Sequence, residues 1–264
     1  MVCLRKLGLF LLLFACAMSV EARTIRVCIN DRSAPPYTYP DREGLGQELL
    51  RKAIEQQGDV MAVTPLPWRR CLEAVRNGEM EVPLMGSPSA FVRELAHFPV
   101  KNGEPDTSRA ISSANLVVFV RKDAGVSWDG KAFGGLQSPV LYGSGIAVVR
   151  EKLESLGVVG EEGVNLHEQI GKMLYSHKVQ AGVVRETVAK TLLHDHPEYR
   201  PVMAILPVPF LIDHSYAPFR KAFADESRGY VEAVWDAIGM MRARSEWGIR
   251  ERQFIEDIIE GRRR

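Results

Sequence analysis

The chain has 264 residues, with 34 Lys and Arg against 33 Asp and Glu and a formal net charge of +1. That balance argues against nucleic acid as a general partner, because phosphate binding needs a basic excess on some face. At this length one large domain or two smaller ones are expected, and no internal repeat or low-complexity tract divides the chain.

The chain opens with Arg5 and Lys6 before an almost wholly apolar run, Leu7 to Val20, which is too short to span a bilayer comfortably. Val20-Glu21-Ala22 then places small residues where a signal peptidase reads, so residues 1–22 are expected to be a cleaved secretory signal and the remainder periplasmic. A retained anchor is the alternative, and Leu13-Phe14-Ala15-Cys16 loosely resembles a lipobox that would make Cys16 a lipoprotein terminus. Cleavage removes Arg5, Lys6 and Glu21 and leaves the two signs balanced. The basic run Arg262-Arg263-Arg264 reads as a solvated terminus.

Thr24 to Ile29 alternates polar and apolar residues and stops at Asn30-Asp31, the pattern of a strand feeding a loop. The following SAPPYTYPD segment is stiffened by its prolines and presents two tyrosines. Leu49, Leu50, Ala53 and Ile54 recur at helical spacing before Gly58; Val60 to Leu66 is a second strand. Trp68 to Arg76 places Cys71, Leu72 and Val75 on one helical face, and Val82 to Met85 is a third strand. A short helix then carries Arg93. This is the rhythm of a parallel sheet with covering helices, whose ligands meet the loops at strand C-terminal ends.

A second block begins with the apolar strand Leu116 to Val120. Val140-Leu141-Tyr142 leads through Gly143-Ser144-Gly145 into a helix over 146–156. A helix over 166–175, a strand over 179–184 and a helix from Glu186 come next. Val202–Leu206 and Val208–Ile212 are apolar runs split by Pro207, and amphipathic helices over 230–241 and 247–259 close the chain. The order favours an α/β fold of two lobes, with residues 23–113 plus 213–264 in one and 114–212 in the other.

Cys28 and Cys71 survive signal removal; in an oxidising compartment they are either a disulfide or two small buried thiols. His194-Asp195-His196 precedes Pro197 at a helix end and reads as a solvated turn rather than a metal site. No cofactor motif, hydrolase triad or nucleophile elbow is present, so no cofactor is expected.

Several stretches together resemble the periplasmic solute-binding proteins of the amino-acid type, family 3. The carriers are Ile25–Ile29 with the following Pro-Pro-Tyr, Gly44-Leu45-Gly46, LPWRRCLEAVRNGEMEV, SPSAFVRELAHFPV, VLYGSG, HKVQAGVVRETVAKTLL and VWDAIGMMRARSEWG. The resemblance implies a type II fold, two lobes joined by two hinge strands with the ligand held between them. It also implies that Arg93 grips a ligand carboxylate, a task suited to a bidentate guanidinium; the alternative is an arginine decorating a helix surface. Trp68 would wall the cleft or pack into its own lobe. Tyr37 and Tyr142 would offer rings, and Ser87, Ser89 and Ser144 hydroxyls. Asp31 would lie near the ligand or form a turn.

The departures matter equally. The family's hydroxyl-rich first-lobe loop is thinned here to Met85-Gly86-Ser87-Pro88, and the acid that meets a ligand ammonium aligns with Arg185. A positive charge there would repel an ammonium group and suggests an anionic solute; if the alignment slips by one residue, Glu186 faces the cleft instead. The expected function is extracytoplasmic binding of a small polar or anionic solute by a monomer that serves an ABC permease. A sensor for a membrane receptor is the alternative. A dehydratase-like enzyme is a more distant one, with Glu186 as its only candidate acid.

Overall fold

The computed structural model describes residues 22–143, 146–163 and 167–262. The expected signal segment, apart from Ala22, and Ser144 lie outside them. The first lobe is built on a three-stranded parallel sheet, β1 (Thr24–Asn30), β2 (Val60–Leu66) and β3 (Val82–Pro83), with β1 in the centre. α1 (Leu45–Glu55), α2 (Trp68–Arg76) and α3 (Ala90–Leu95) connect and extend it. Alternation along β1 sorts its side chains between two layers, as the two-residue period of a strand requires. Ile25, Val27 and Ile29 meet α1 on one face; Cys28 meets Cys71 and Val75 of α2 on the other. That second contact is covalent: Cys28 and Cys71 form a disulfide.

The chain leaves the first lobe on β4 (Ser112–Arg121) and returns on β8 (Met203–Ser215), which pair antiparallel from Ser112 opposite Ser215 to Arg121 opposite Met203. Between them lie β5 (Val140–Gly143), α4 (Ala147–Ser155), β6 (Gly160–Gly163), α5 (His167–Tyr175), β7 (Ala181–Arg185) and α6 (Glu186–Asp195). The second-lobe sheet runs β6-β5-β7-β4-β8. β4 is apolar on both faces because both are covered. Leu116, Val118 and Val120 pack with Trp128, Val149, Leu153 and Phe210, while Val117 and Phe119 pack with Ile170, Leu174 and Leu192.

The apolar runs around Pro207 form one strand rather than two. Its register with β4 shifts between Ile205, Pro209 and Leu211. Proline has no N–H to donate, and an edge strand tolerates it by bulging.

After β8 the chain forms α7 (Lys221–Glu226), α8 (Arg228–Arg242) and α9 (Ser245–Ile259). Val231, Val234, Trp235 and Ile238 of α8 complete the first-lobe core. Residues 213–264 were expected in the first lobe, yet α9 packs on α6 of the second as well as on α8. Among the described residues no helix is long and apolar enough to cross a membrane.

Candidate functional site

A cavity of about 210 Å³ lies where the two lobes meet. Pro35, Pro36 and Tyr37 of the first lobe form one wall, and Arg185, Glu186, Thr187 and Lys190 of the second form the opposite one. Residues 113–115 of β4 supply the hinge side, and Ile255 and Ile259 of α9 close the remainder.

The first-lobe wall is fixed by its contact with α1. Gln47, buried at the start of that helix, accepts from the backbone N–H groups of Tyr39 and Gly44 at 2.9 Å each and donates to the Tyr39 carbonyl at 3.2 Å. Gly44 is required there, since a Cβ would overlap the Tyr37 carbonyl. Tyr37 is thereby buried and its hydroxyl donates to Glu251 of α9 at 3.0 Å. Burial raises the pKa of its phenol, and the Glu251 charge reinforces the shift.

The other first-lobe loop follows β3. Met85 adopts a left-handed backbone at φ 71°, a conformation unfavourable for a non-glycine residue. It is held by backbone bonds from Met85 N–H to the Tyr216 carbonyl and from Tyr216 N–H to the Gly86 carbonyl, both 2.9 Å. The turn presents Ser87, whose Oγ donates to Asp213 Oδ1 at 2.7 Å. Asp213 is 4 % exposed and belongs to β8. Among the described residues its Oδ2 has only long contacts, 3.4 Å to Ser215 Oγ and 3.5 Å to Arg185 Nη2. Ser112 and Ala114 lie opposite Ser215 and Asp213, so all four side chains share one face of the hinge ribbon. Ser112 Oγ is buried there with no hydrogen-bond partner among the described residues.

Arg185 thus lines the cavity beside a buried carboxylate. An anionic solute would follow from an uncompensated positive charge at Arg185. Asp213 supplies the opposite charge from the hinge strand, so the sign at position 185 alone does not select the ligand. Glu186 also lines the cavity. Lys190 at 2.7 Å and Asn115 at 2.9 Å bond its carboxylate and lower its pKa. A group held ionised in this way is poorly suited to act as a general acid.

Arg93 does not line the cavity. It is exposed, and its Nε donates back to the Pro88 carbonyl at 2.8 Å. It nevertheless stands at a lobe junction, because the Ala90 N–H that opens α3 donates to Glu151 of α4 at 3.2 Å. Burial pushes the Tyr216 phenol up to about 12; the Asp106 charge adds to the shift and the Arg93 guanidinium opposes it.

The remaining candidates have other surroundings. Ser89 is buried as the N-cap of α3, its oxygen accepting from Val92 N–H at 3.4 Å. Tyr142 turns into the second-lobe core, where its ring crowds Gly160 and packs in the cluster that holds Val149 and Leu153, so it does not offer a ring to the cavity. Asp31 is exposed in the loop after β1, with its N–H on the Leu66 carbonyl at 2.9 Å. Trp68 is half-buried against two clusters, one containing the disulfide and the other Tyr216. Asp213, Asn115 and Glu251 were missed in the sequence. The first two sit inside otherwise ordinary strands and the third on a helix expected in the first lobe alone.

Among the described residues no cluster of His, Cys, Asp and Glu could hold a metal ion. No protein-family model and no curated protein matches the chain. Solved structures do match. An amino-acid ABC-transporter substrate-binding protein from Streptococcus pneumoniae, bound to L-arginine, aligns at TM-score 0.62 and 18 % identity over 90 % of this chain and 94 % of its own. A histidine-kinase sensor domain similar to periplasmic binding proteins aligns at TM-score 0.65 and 15 % identity over 88 % of this chain and 96 % of its own. An ancestral amino-acid-binding protein, described as a precursor of cyclohexadienyl dehydratase, aligns at TM-score 0.60 and 15 % identity over 88 % and 95 %. At such identities the likeness is one of fold. The chain has the two-lobed α/β fold, with bridging strands, of the type II periplasmic binding proteins.

Proposed function

We propose that this protein binds a small polar organic solute outside the cytoplasm, in the manner of the family 3 solute-binding proteins, and delivers it to an ABC-type importer. The observation that carries the reading is the cavity whose walls come from both lobes and the hinge, with Arg185, Tyr37 and Asn115 converging on it. A site divided in this way lets the solute favour the closed arrangement, because only closure brings both sets of contacts to it. Its 210 Å³ is below the roughly 300–1,000 Å³ of drug-sized sites, which suits a solute of modest size. Arg185, Glu186 and Asn115 would read its polar groups, while Ser87 and Asp213 would tie the turn after β3 to the hinge strand; Trp68 and Arg93 lie outside its lining. The signal sequence expected at residues 1–22 supports the location.

The test is a thermal-shift screen of the protein from residue 23 onward against organic acids, zwitterionic amino acids and polyamines, followed by calorimetry on each hit. A ligand that binds only the native state raises the melting temperature. The reading requires at least one class to do so with a one-to-one stoichiometry, and a flat screen across all three overturns it. The likeness to a histidine-kinase sensor domain favours a second reading, in which the same closure reports the solute to a membrane receptor. Pull-down by a permease complex as opposed to a receptor ectodomain separates the two.

A further inference from the structure

We propose that α9 is a third connection between the lobes, a strap that holds them together without solute and must lift for the cavity to open. The two halves of the helix are anchored in different lobes. Its N-terminal half belongs to the first: Trp247 packs on that lobe's core, and Arg250 pairs with Glu48 of α1 at 2.6 Å. The Glu251 contact with Tyr37 lies on the same half.

Its C-terminal half reaches the second lobe. Ile255 and Ile259 are one helical turn apart and therefore share a face. They line the cavity opposite Thr187 and Lys190 of α6, the helix on which α9 packs. Both isoleucines are half-buried and neither belongs to the core of either lobe. Their burial therefore depends on the lobes staying together. Movement about β4 and β8 that parts the lobes strips these side chains from α6 and returns them to water, which opposes opening. The two hinge strands by themselves set the axis of motion; the strap sets the resting position along it.

The experiment needs no solute, so its outcome is separate from that of the binding screen. Spin labels are placed at V100C and V159C, exposed positions in the first and second lobes, and inter-lobe distances are measured with the Cys28–Cys71 disulfide intact. Truncating two half-buried isoleucines removes three carbons from each, so I255A/I259A is expected to raise the open-to-closed ratio about tenfold or more. The distance distribution should then broaden or become bimodal. A distribution unchanged from the parent, in a variant whose circular dichroism and cooperative melting show it folded, overturns the proposal. If the double variant does not fold, Ile259→Ala alone provides the test, because it alters only the last residue of α9. A smaller shift in the same direction is expected, and none overturns the strap.

Discussion

The Ser87 hydroxyl donates to Asp213 Oδ1 at 2.7 Å, and among the described residues this is the one short hydrogen bond to a carboxylate that is only 4 % exposed. It joins the turn after β3 to the returning hinge strand. A hydrogen bond to a buried charge is worth about 1.5–3 kcal/mol. Ser87→Ala should therefore destabilise the protein by about that amount, lowering the melting temperature by roughly 3–10 °C for a chain of this size. Unchanged melting would mean that the turn does not bear on the hinge.

Arg185 and Arg93 should separate in binding assays. Arg185 lines the cavity with 22 % of its side chain exposed, whereas Arg93 is exposed and does not line it. Truncating a partly buried charge costs about 2–5 kcal/mol and an exposed one under about 1 kcal/mol. Calorimetry with the solute found by screening should show Arg185→Ala weakening affinity well beyond tenfold and Arg93→Ala by less than tenfold. The reverse order would place the anionic end of the solute at α3.

The Cys28–Cys71 bond closes a loop of 43 residues that spans β1, α1, β2 and the start of α2. Chain-entropy arguments give about 4 kcal/mol for a loop of that length. C28A/C71A should lose stability on that order in urea unfolding, and reductant should affect the parent but not the variant. Equal sensitivity of both to reductant would contradict this.

Acid should loosen the contact between α1 and α9. Hydrogen bonds from Arg250 and then Lys52 lower the Glu48 pKa to about 2 from its ordinary 4.5. A depressed folded-state value contributes stability above the unfolded pKa and loses it as pH falls through the folded one. The Glu48 contribution should be complete above about pH 4.5 and decline toward pH 2. Glu48→Gln should flatten the decline in that window, which urea unfolding across pH would reveal. Parallel profiles for parent and variant would remove Glu48 from the anchor.

Local patterns in the sequence determined the elements and their order. The alternation of Thr24–Ile29 and the helical spacing of Trp68–Arg76 reappear in β1 and α2, because side-chain periodicity and backbone geometry are properties of short segments. The apolar core of β4 was equally legible, as a strand buried on both faces has no polar position to hide. The residues around the cavity were legible only in part. Tyr37 and Arg185 stand at the ends of recognisable strands or their loops. Asp213 has no local mark: it is one acid at the end of a proline-interrupted apolar run, and its meaning comes from Ser87, 126 positions away.

Tertiary structure alone decided three matters. It paired Arg185 with Asp213, it turned Tyr142 inward, and it laid α9 across to α6. Periodicity specifies which face of an element is buried; which other element covers that face depends on the path of the chain between them, and that path is set by contacts distant in sequence.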